Sequence, residues 1–203
     1  MTRHRVLAPN DYRRMPWKNG GGHTVEIAAH PQGAGAAGFA WRVSVADVAR
    51  DGSFSIYPGV DRTLVLLAGN GMRLRGAGDP MDVHVPFEPI TFAGEAAIDC
   101  ELTDGPTRDF NLMVRRTAAS GDVIVVRDAG EAIAPAGAYV CFAAAGACEC
   151  LLAGYPPFEL APEHALVVVA DTGVAAGLHV YPTSAHSVAL VAVIGGPGAG
   201  GPQ

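Results

Sequence analysis

Apolar residues recur along the chain with a period of two. Phe39-Ala-Trp-Arg-Val-Ser-Val-Ala46 sets Phe39, Trp41, Val43 and Val45 on one strand face and Arg42 and Ser44 on the other. Asp51-Gly-Ser-Phe-Ser55 and Tyr57-Pro-Gly-Val-Asp61 supply turn chemistry before Arg62–Leu67. Gly69-Asn-Gly71 then separates that run from Met72–Arg75, which predicts a hairpin. Further strands are predicted around Val83 to Phe92, over Ala97 to Leu102 and over Asp109 to Arg115. A short helical element fits near Ala46 to Arg50. From about Ser120 the runs become continuously apolar: Val123–Val126, Ala138–Phe142, Cys150–Leu152, Ala165–Ala170 and Val188–Ile194 read as buried strands between Gly and Pro turns. An all-β chain of two sandwich-like or barrel-like halves follows, residues 1–119 and 120–194, with 195–203 a disordered Gly/Pro tail.

Composition narrows the function classes. The 203 residues carry 20 acidic against 14 basic side chains, a formal charge of −6, which opposes the field a nucleic-acid partner needs. No run approaches the roughly 18 apolar residues of a membrane helix, and no secretory leader is visible. The expectation is a cytoplasmic protein with neither nucleic-acid nor membrane partner. Four cysteines spread through this length read as reduced thiols, and Cys148-Glu-Cys150 as packing, because no His or second Cys pair stands at zinc-site spacing. No metal and no cofactor is expected.

Candidate chemistry concentrates in Met15-Pro-Trp-Lys-Asn-Gly-Gly-Gly-His-Thr-Val-Glu-Ile27. Trp17 offers a flat apolar wall, Lys18 a compact positive charge, and Asn19 an orienting amide. Gly20, Gly21 and Gly22 allow close backbone approach. Strand alternation adds polar faces: Thr24 with Glu26, Arg42 with Ser44, and Asp109, Asn111 and Arg115 opposite Phe110, Leu112 and Val114. Such faces point either to solvent or into a barrel, and periodicity does not distinguish the two. Groups suited to directional hydrogen bonding, including Arg42, Arg62 and Asn111, favour a lined pocket for a small anionic metabolite, with Arg42, Ser44, Asn111 and Arg115 as its floor. The competing reading is structural: Glu26 and Asp109 neutralise Arg42 or Arg115 as internal ion pairs. His23 stands beside the glycines as an acid–base candidate, yet no catalytic or metal constellation accompanies it.

Four ordered segments resemble the HutD/Ves family: Met15–Ile27, Phe39–Asp47, Phe54–Arg62 and Asp104–Arg116. The resemblance implies a bicupin, two double-stranded β-helix barrels with few short helices, and an association with bacterial histidine utilisation. It implies binding of a metabolite such as urocanate or formylglutamate in the N-terminal barrel by a regulatory or accessory protein. Its motifs carry the site over to Trp17, Lys18, Asn19, Gly20, Arg42, Ser44, Asp61, Arg62, Asp109, Asn111 and Arg115. The His-x-His and later His of metal-dependent cupins are absent from this chain.

Two other functions compete with the metabolite binder. A metal-free cupin isomerase, epimerase or hydrolase would use Glu26 or His23 as base beside the arginines. A protein-interaction module would use the apolar second half as an interface, and a homodimer fits any of the three.

Overall fold

The computed structural model describes residues 2–17, 20–35, 38–76, 78–128, 130–170 and 177–196. Among these the regular structure is β-strand apart from one 3-10 turn at Pro9–Asp11. The chain opens with β1 (Thr2–Leu7). It continues with β2 (Arg13–Pro16), β3 (Gly22–His30), β4 (Trp41–Val48), β5 (Gly52–Ser53), β6 (Val60–Ala68) and β7 (Met72–Arg75). Next come β8 (Met81–Val83), β9 (Pro89–Ala93), β10 (Asp99–Leu102) and β11 (Thr107–Arg115). The remaining strands are β12 (Ser120–Val126), β13 (Glu131–Ile133), β14 (Ala138–Ala145), β15 (Cys148–Leu152), β16 (Phe158–Leu160), β17 (Ala165–Ala170), β18 (Leu178–Pro182) and β19 (Val188–Gly195).

Two compact units result. In the unit Arg13–Ala118, a six-stranded sheet of order β2-β3-β4-β11-β6-β9 accompanies a four-stranded sheet of order β5-β10-β7-β8. The other unit repeats this plan, with β1-β17-β14-β19-β12 and β13-β18-β15-β16. Replacing β4, β11, β6 and β9 by β12, β19, β14 and β17 reproduces the same neighbour order. Each unit is therefore a double-stranded β-helix, built twice from one chain.

The structure differs from the sequence reading in four places. Thr2–Leu7 pairs antiparallel with β17, from Thr2↔Ala170 to Leu7↔Ala165, so residues 2–12 belong to the C-terminal unit and the division does not fall at residue 119 alone. The pairing covers an edge that β17 would otherwise expose. Tyr12 Oη reinforces it by donating to the Glu163 carbonyl oxygen at 2.6 Å. Second, β6 and β7 do not form a hairpin: β6 pairs with β11 and β9, whereas β7 pairs with β10 and β8. Gly69 (φ +95°) and Gly71 (φ +101°) carry the chain between sheets, and a Cβ on either would lie within 2.5 Å of a backbone oxygen. Third, Ala46–Val48 continues β4 rather than starting a helix. Fourth, Gly195 ends β19 instead of opening the tail, of which 197–203 lies outside the described residues.

Burial explains why β4 and β11 sit centrally. Val43, Val45, Phe110 and Leu112 are wholly buried on one face, and the opposite face is also removed from solvent. One core cluster, formed by Val48, Leu64, Leu66, Met72, Leu74 and Cys100 with their neighbours, lies between the two sheets of this unit. Among the described residues no helix is long and apolar enough to cross a membrane.

Candidate functional site

The second face of β4 and β11 opens on a cavity of about 670 Å³ in the unit Arg13–Ala118. Strand register builds its polar wall in rows. Met113 of β11 lies opposite Arg42 of β4 on one side and Arg62 of β6 on the other, so both guanidiniums rise from one row, two strands apart. In the next row Asn111 lies between Ser44 and Leu64, and Ser44 faces Glu26 of β3. In the third, Asp109 lies beside Ala46, which faces Thr24. Ile27 forms a bulge between Glu26 and Ala28, which brings Ala29 rather than Ala28 opposite Arg42.

The charges of this wall are compensated unequally. Arg42 Nε approaches Glu26 Oε2 at 2.9 Å with both side chains buried, an ion pair in which the N–H is not aimed at the oxygen. Arg62 is also only 8% exposed, but among the described residues it has no carboxylate within ion-pair distance. Its Nε makes a long 3.5 Å bond to Asn111 Oδ1, and its Cζ lies 5.0 Å from the ring centroids of both Phe54 and Phe92. Burial lowers its pKa, against the field of Asp109, and the Arg42 charge lowers it further.

Asp109 is 1% exposed and accepts a 3.4 Å hydrogen bond from Asn111 Nδ2. Burial pushes its carboxyl up to about 7 although Asn111 and Arg62 both favour the charged form. The cavity therefore holds a buried acid whose pKa lies near neutrality and whose charged form only the Arg62 field and Asn111 support.

A second wall is aromatic and apolar. Trp17 Nε1 donates to Thr24 Oγ1 at 2.8 Å, which orients the indole against the cavity. Gly22 makes this packing feasible: a Cβ there would lie 2.1 Å from the Asp47 carbonyl oxygen and 3.3 Å from Trp17 Cε3. Phe54, Tyr57 and the serines Ser53 and Ser55 close another side from the segment before β6. Strand periodicity passed over them because most of that segment is not strand. In the sequence Ser53 is marked only by turn chemistry, and Phe54, Ser55 and Tyr57 also by the Phe54–Arg62 motif. Met15, Pro16, Val48 and Met113 complete the apolar lining.

The structure thus brings Trp17, Thr24, Arg42, Ser44, Arg62, Asp109 and Asn111 to one cavity, with Glu26 attached through Arg42. It does not bring Arg115, whose Nε donates to the Phe39 carbonyl oxygen at 3.1 Å and whose guanidinium lies over the Phe39 ring. Asp61 belongs to the other face of β6, where it pairs with Arg116. Gly20 (φ +66°) shapes the turn by donating its N–H to the Trp17 carbonyl, and Gly21 accepts from Ala49 N; neither lines the cavity. His23 is also on the outer side, 2.9 Å from Asp47 Oδ2. Lys18 and Asn19 lie outside the described residues.

The chain as a whole is similar to known proteins. The HutD family model matches residues 9–185. An "uncharacterized 21.2 kDa protein in hutC 3′region" of Pseudomonas putida is 45% identical over 113 residues, which cover 56% of this chain and 59% of that protein. Protein Ves of Cronobacter sakazakii is 41% identical over 119 residues, 57% of this chain and 64% of its own. The match thus spans about six tenths of the length of these curated relatives. The structure of HutD from Pseudomonas fluorescens SBW25 superposes with a TM-score of 0.80 at 31% identity, covering 97% of this chain and all of that one. Oxalate decarboxylase of Bacillus subtilis shares the bicupin fold alone, with a TM-score of 0.62 at 7% identity over 94% of this chain and 76% of its own.

Proposed function

The chain belongs to the HutD family, and on that footing we propose that it binds a small anionic metabolite, a carboxylate, in the cavity of the unit Arg13–Ala118. The observation that carries this reading is Arg62, a buried guanidinium facing the cavity without a carboxylate partner among the described residues. A ligand carboxylate supplies the missing countercharge and accepts the fork of N–H donors that Asn111 engages only at 3.5 Å. The volume of about 670 Å³ suits a metabolite-sized ligand, and Trp17, Phe54 and Tyr57 provide walls for its planar or aliphatic part. Urocanate and formylglutamate have these properties, so the role is that of a regulatory or accessory protein of histidine utilisation.

Calorimetric titration with urocanate, formylglutamate and glutamate tests the proposal. Saturable binding of at least one is expected, weakened in Arg62→Met by about 1.5–3 kcal/mol, the value of a hydrogen bond to a charged group. Absence of saturable binding to these and to a broader carboxylate panel, or unchanged affinity in Arg62→Met, overturns it.

Asp109 favours a second reading, proton transfer to or from the bound carboxylate compound. A carboxyl at about 7 inside a ligand-sized cavity has the protonation balance of a general acid or base. Product formation followed by NMR, lost in Asp109→Asn, would identify an enzyme; ligand binding without turnover leaves the binder.

A further inference from the structure

In the C-terminal unit the turn at Gly146 (φ +60°) folds β14 toward β15. This brings Cys141, Cys148 and Cys150 together, none more than 2% exposed, with their three sulfurs all within 4.8 Å of one another. Cys141 Sγ and Cys150 Sγ are 3.4 Å apart. Sequence spacing places only Cys148 and Cys150 on one strand face; the third sulfur comes from β14, in the other sheet of this unit. The repeat of the fold supplies an internal comparison. Cys148 pairs with Leu160 and Pro182, as Met72 pairs with Val83 and Leu102, and Cys150 pairs with Val180, as Leu74 pairs with Cys100. Counting back from the turns, Cys141 corresponds to Leu64. The same layer of the first unit is thus packed with Leu64, Met72 and Leu74, so the fold does not demand thiols there.

We infer that Cys141, Cys148 and Cys150 form a three-sulfur site for a soft monovalent metal ion of the Cu(I) class. Thiolates select soft ions. Three donors at metal–sulfur distances of about 2.3 Å stand about 4 Å from one another, within the span these sulfurs already occupy. Among the described residues no fourth His, Asp or Glu donor joins the cluster, and its shell is aliphatic: Leu152, Leu160, Leu166 and Val180 belong to the same buried core. A four-coordinate zinc site is therefore incomplete here, whereas a three-coordinate ion is satisfied. Binding exchanges thiol protons for metal–sulfur bonds, releases the protons to solvent and involves no change of oxidation state.

The test is an anaerobic titration of the reduced full-length protein with Cu(I) held by a chromogenic chelator, incubated to equilibrium. One Cu(I) per chain should be withdrawn, with X-ray absorption reporting three sulfur neighbours at about 2.3 Å. Cys141→Ala and Cys150→Ala should each lower the affinity at least a hundredfold, while Cys100→Ala keeps it. Native mass spectrometry of the wild-type protein gives a measurement independent of variant folding: the mass gained should equal one copper less the displaced protons. Failure to withdraw Cu(I), coordination by fewer than three sulfurs, or binding undiminished in Cys141→Ala overturns the inference.

Discussion

Replacing Asp109 by Asn should make the protein more stable at neutral pH while leaving its stability near pH 4 little changed. An ordinary aspartate titrates near 3.8, whereas burial pushes this carboxyl up to about 7. Between those values the folded state holds a proton that the unfolded chain has released, so stability falls as pH rises from about 4 to about 7 and then levels off. At about 1.4 kcal/mol per unit, three units amount to roughly 4 kcal/mol. For a chain of about 200 residues this corresponds to a difference in melting temperature on the order of 10 °C. Asn keeps the shape and the oxygen that accepts from Asn111 Nδ2, so the substitution removes chiefly the titration. The assay is the difference in melting temperature between variant and wild type from pH 4 to pH 8, because subtraction cancels carboxylates that both proteins share. Ligand affinity should move with the same group. Among the described residues of the cavity, above pH 7 the Asp109 and Glu26 charges balance Arg42 and Arg62, whereas below it one positive charge is left to attract an anion. Carboxylate affinity should then fall by up to about tenfold per pH unit above 7 in the wild type and stay level in Asp109→Asn. A melting difference that does not grow between pH 4 and 7 would refute the reasoning, since no other group is altered.

Arg62→Met should leave the melting temperature within a few degrees of wild type, because the two ring contacts it loses are offset by desolvation no longer incurred by an unpaired buried charge. Gly22→Ala should lower stability by about 2 kcal/mol or more and shift tryptophan fluorescence, since its Cβ meets the Asp47 carbonyl and displaces Trp17. Chemical denaturation and emission spectra check both effects. In the other unit Tyr139→Phe should cost about 1–3 kcal/mol in denaturant unfolding: the buried Tyr139 hydroxyl donates to Ala134 O and accepts from Ala136 N, each at 2.8 Å.

Strand alternation made much of the site legible. Arg42 with Ser44, and Asp109 with Asn111, share a face because β4 and β11 are regular and in direct register. The same alternation does not hold for Arg115, at the end of β11, where the strand passes beyond the cavity and the side chain turns to the Phe39 carbonyl. Alternation itself excludes Asp61 from the cavity, because adjacency to Arg62 places it on the opposite face. Phe54 and Tyr57 had no periodic signal. The pairing of β1 with β17 joins residues more than 150 positions apart, and no local pattern specifies such a contact. The glycine turn at Gly69–Gly71 has the chemistry of a hairpin, but whether its two strands pair or enter different sheets depends on the rest of the fold.

The proposed binding site rests on the contrast between the two buried arginines, since a purely structural ion network would pair both. Glu26 and Asp109 could each have neutralised one guanidinium, leaving a closed set of charges with no call for a ligand. The register permits this for Arg42, because Glu26 faces its near neighbour Ser44 across β3 and β4. It fails for Arg62. Asp109 lies two rows away on β11, turns to Asn111, and is held near half-protonation by the burial that an ion pair would have offset. A buried cation and a buried acid that do not meet each other both raise the free energy of the empty cavity, and an arriving carboxylate relieves the first directly. When that ligand binds beside Asp109 its charge favours the protonated acid, so binding near pH 7 should take up a proton. Calorimetry in buffers of different ionisation enthalpy measures that uptake, and a value of zero in the wild type would place the ligand's charge away from Asp109 and Arg62.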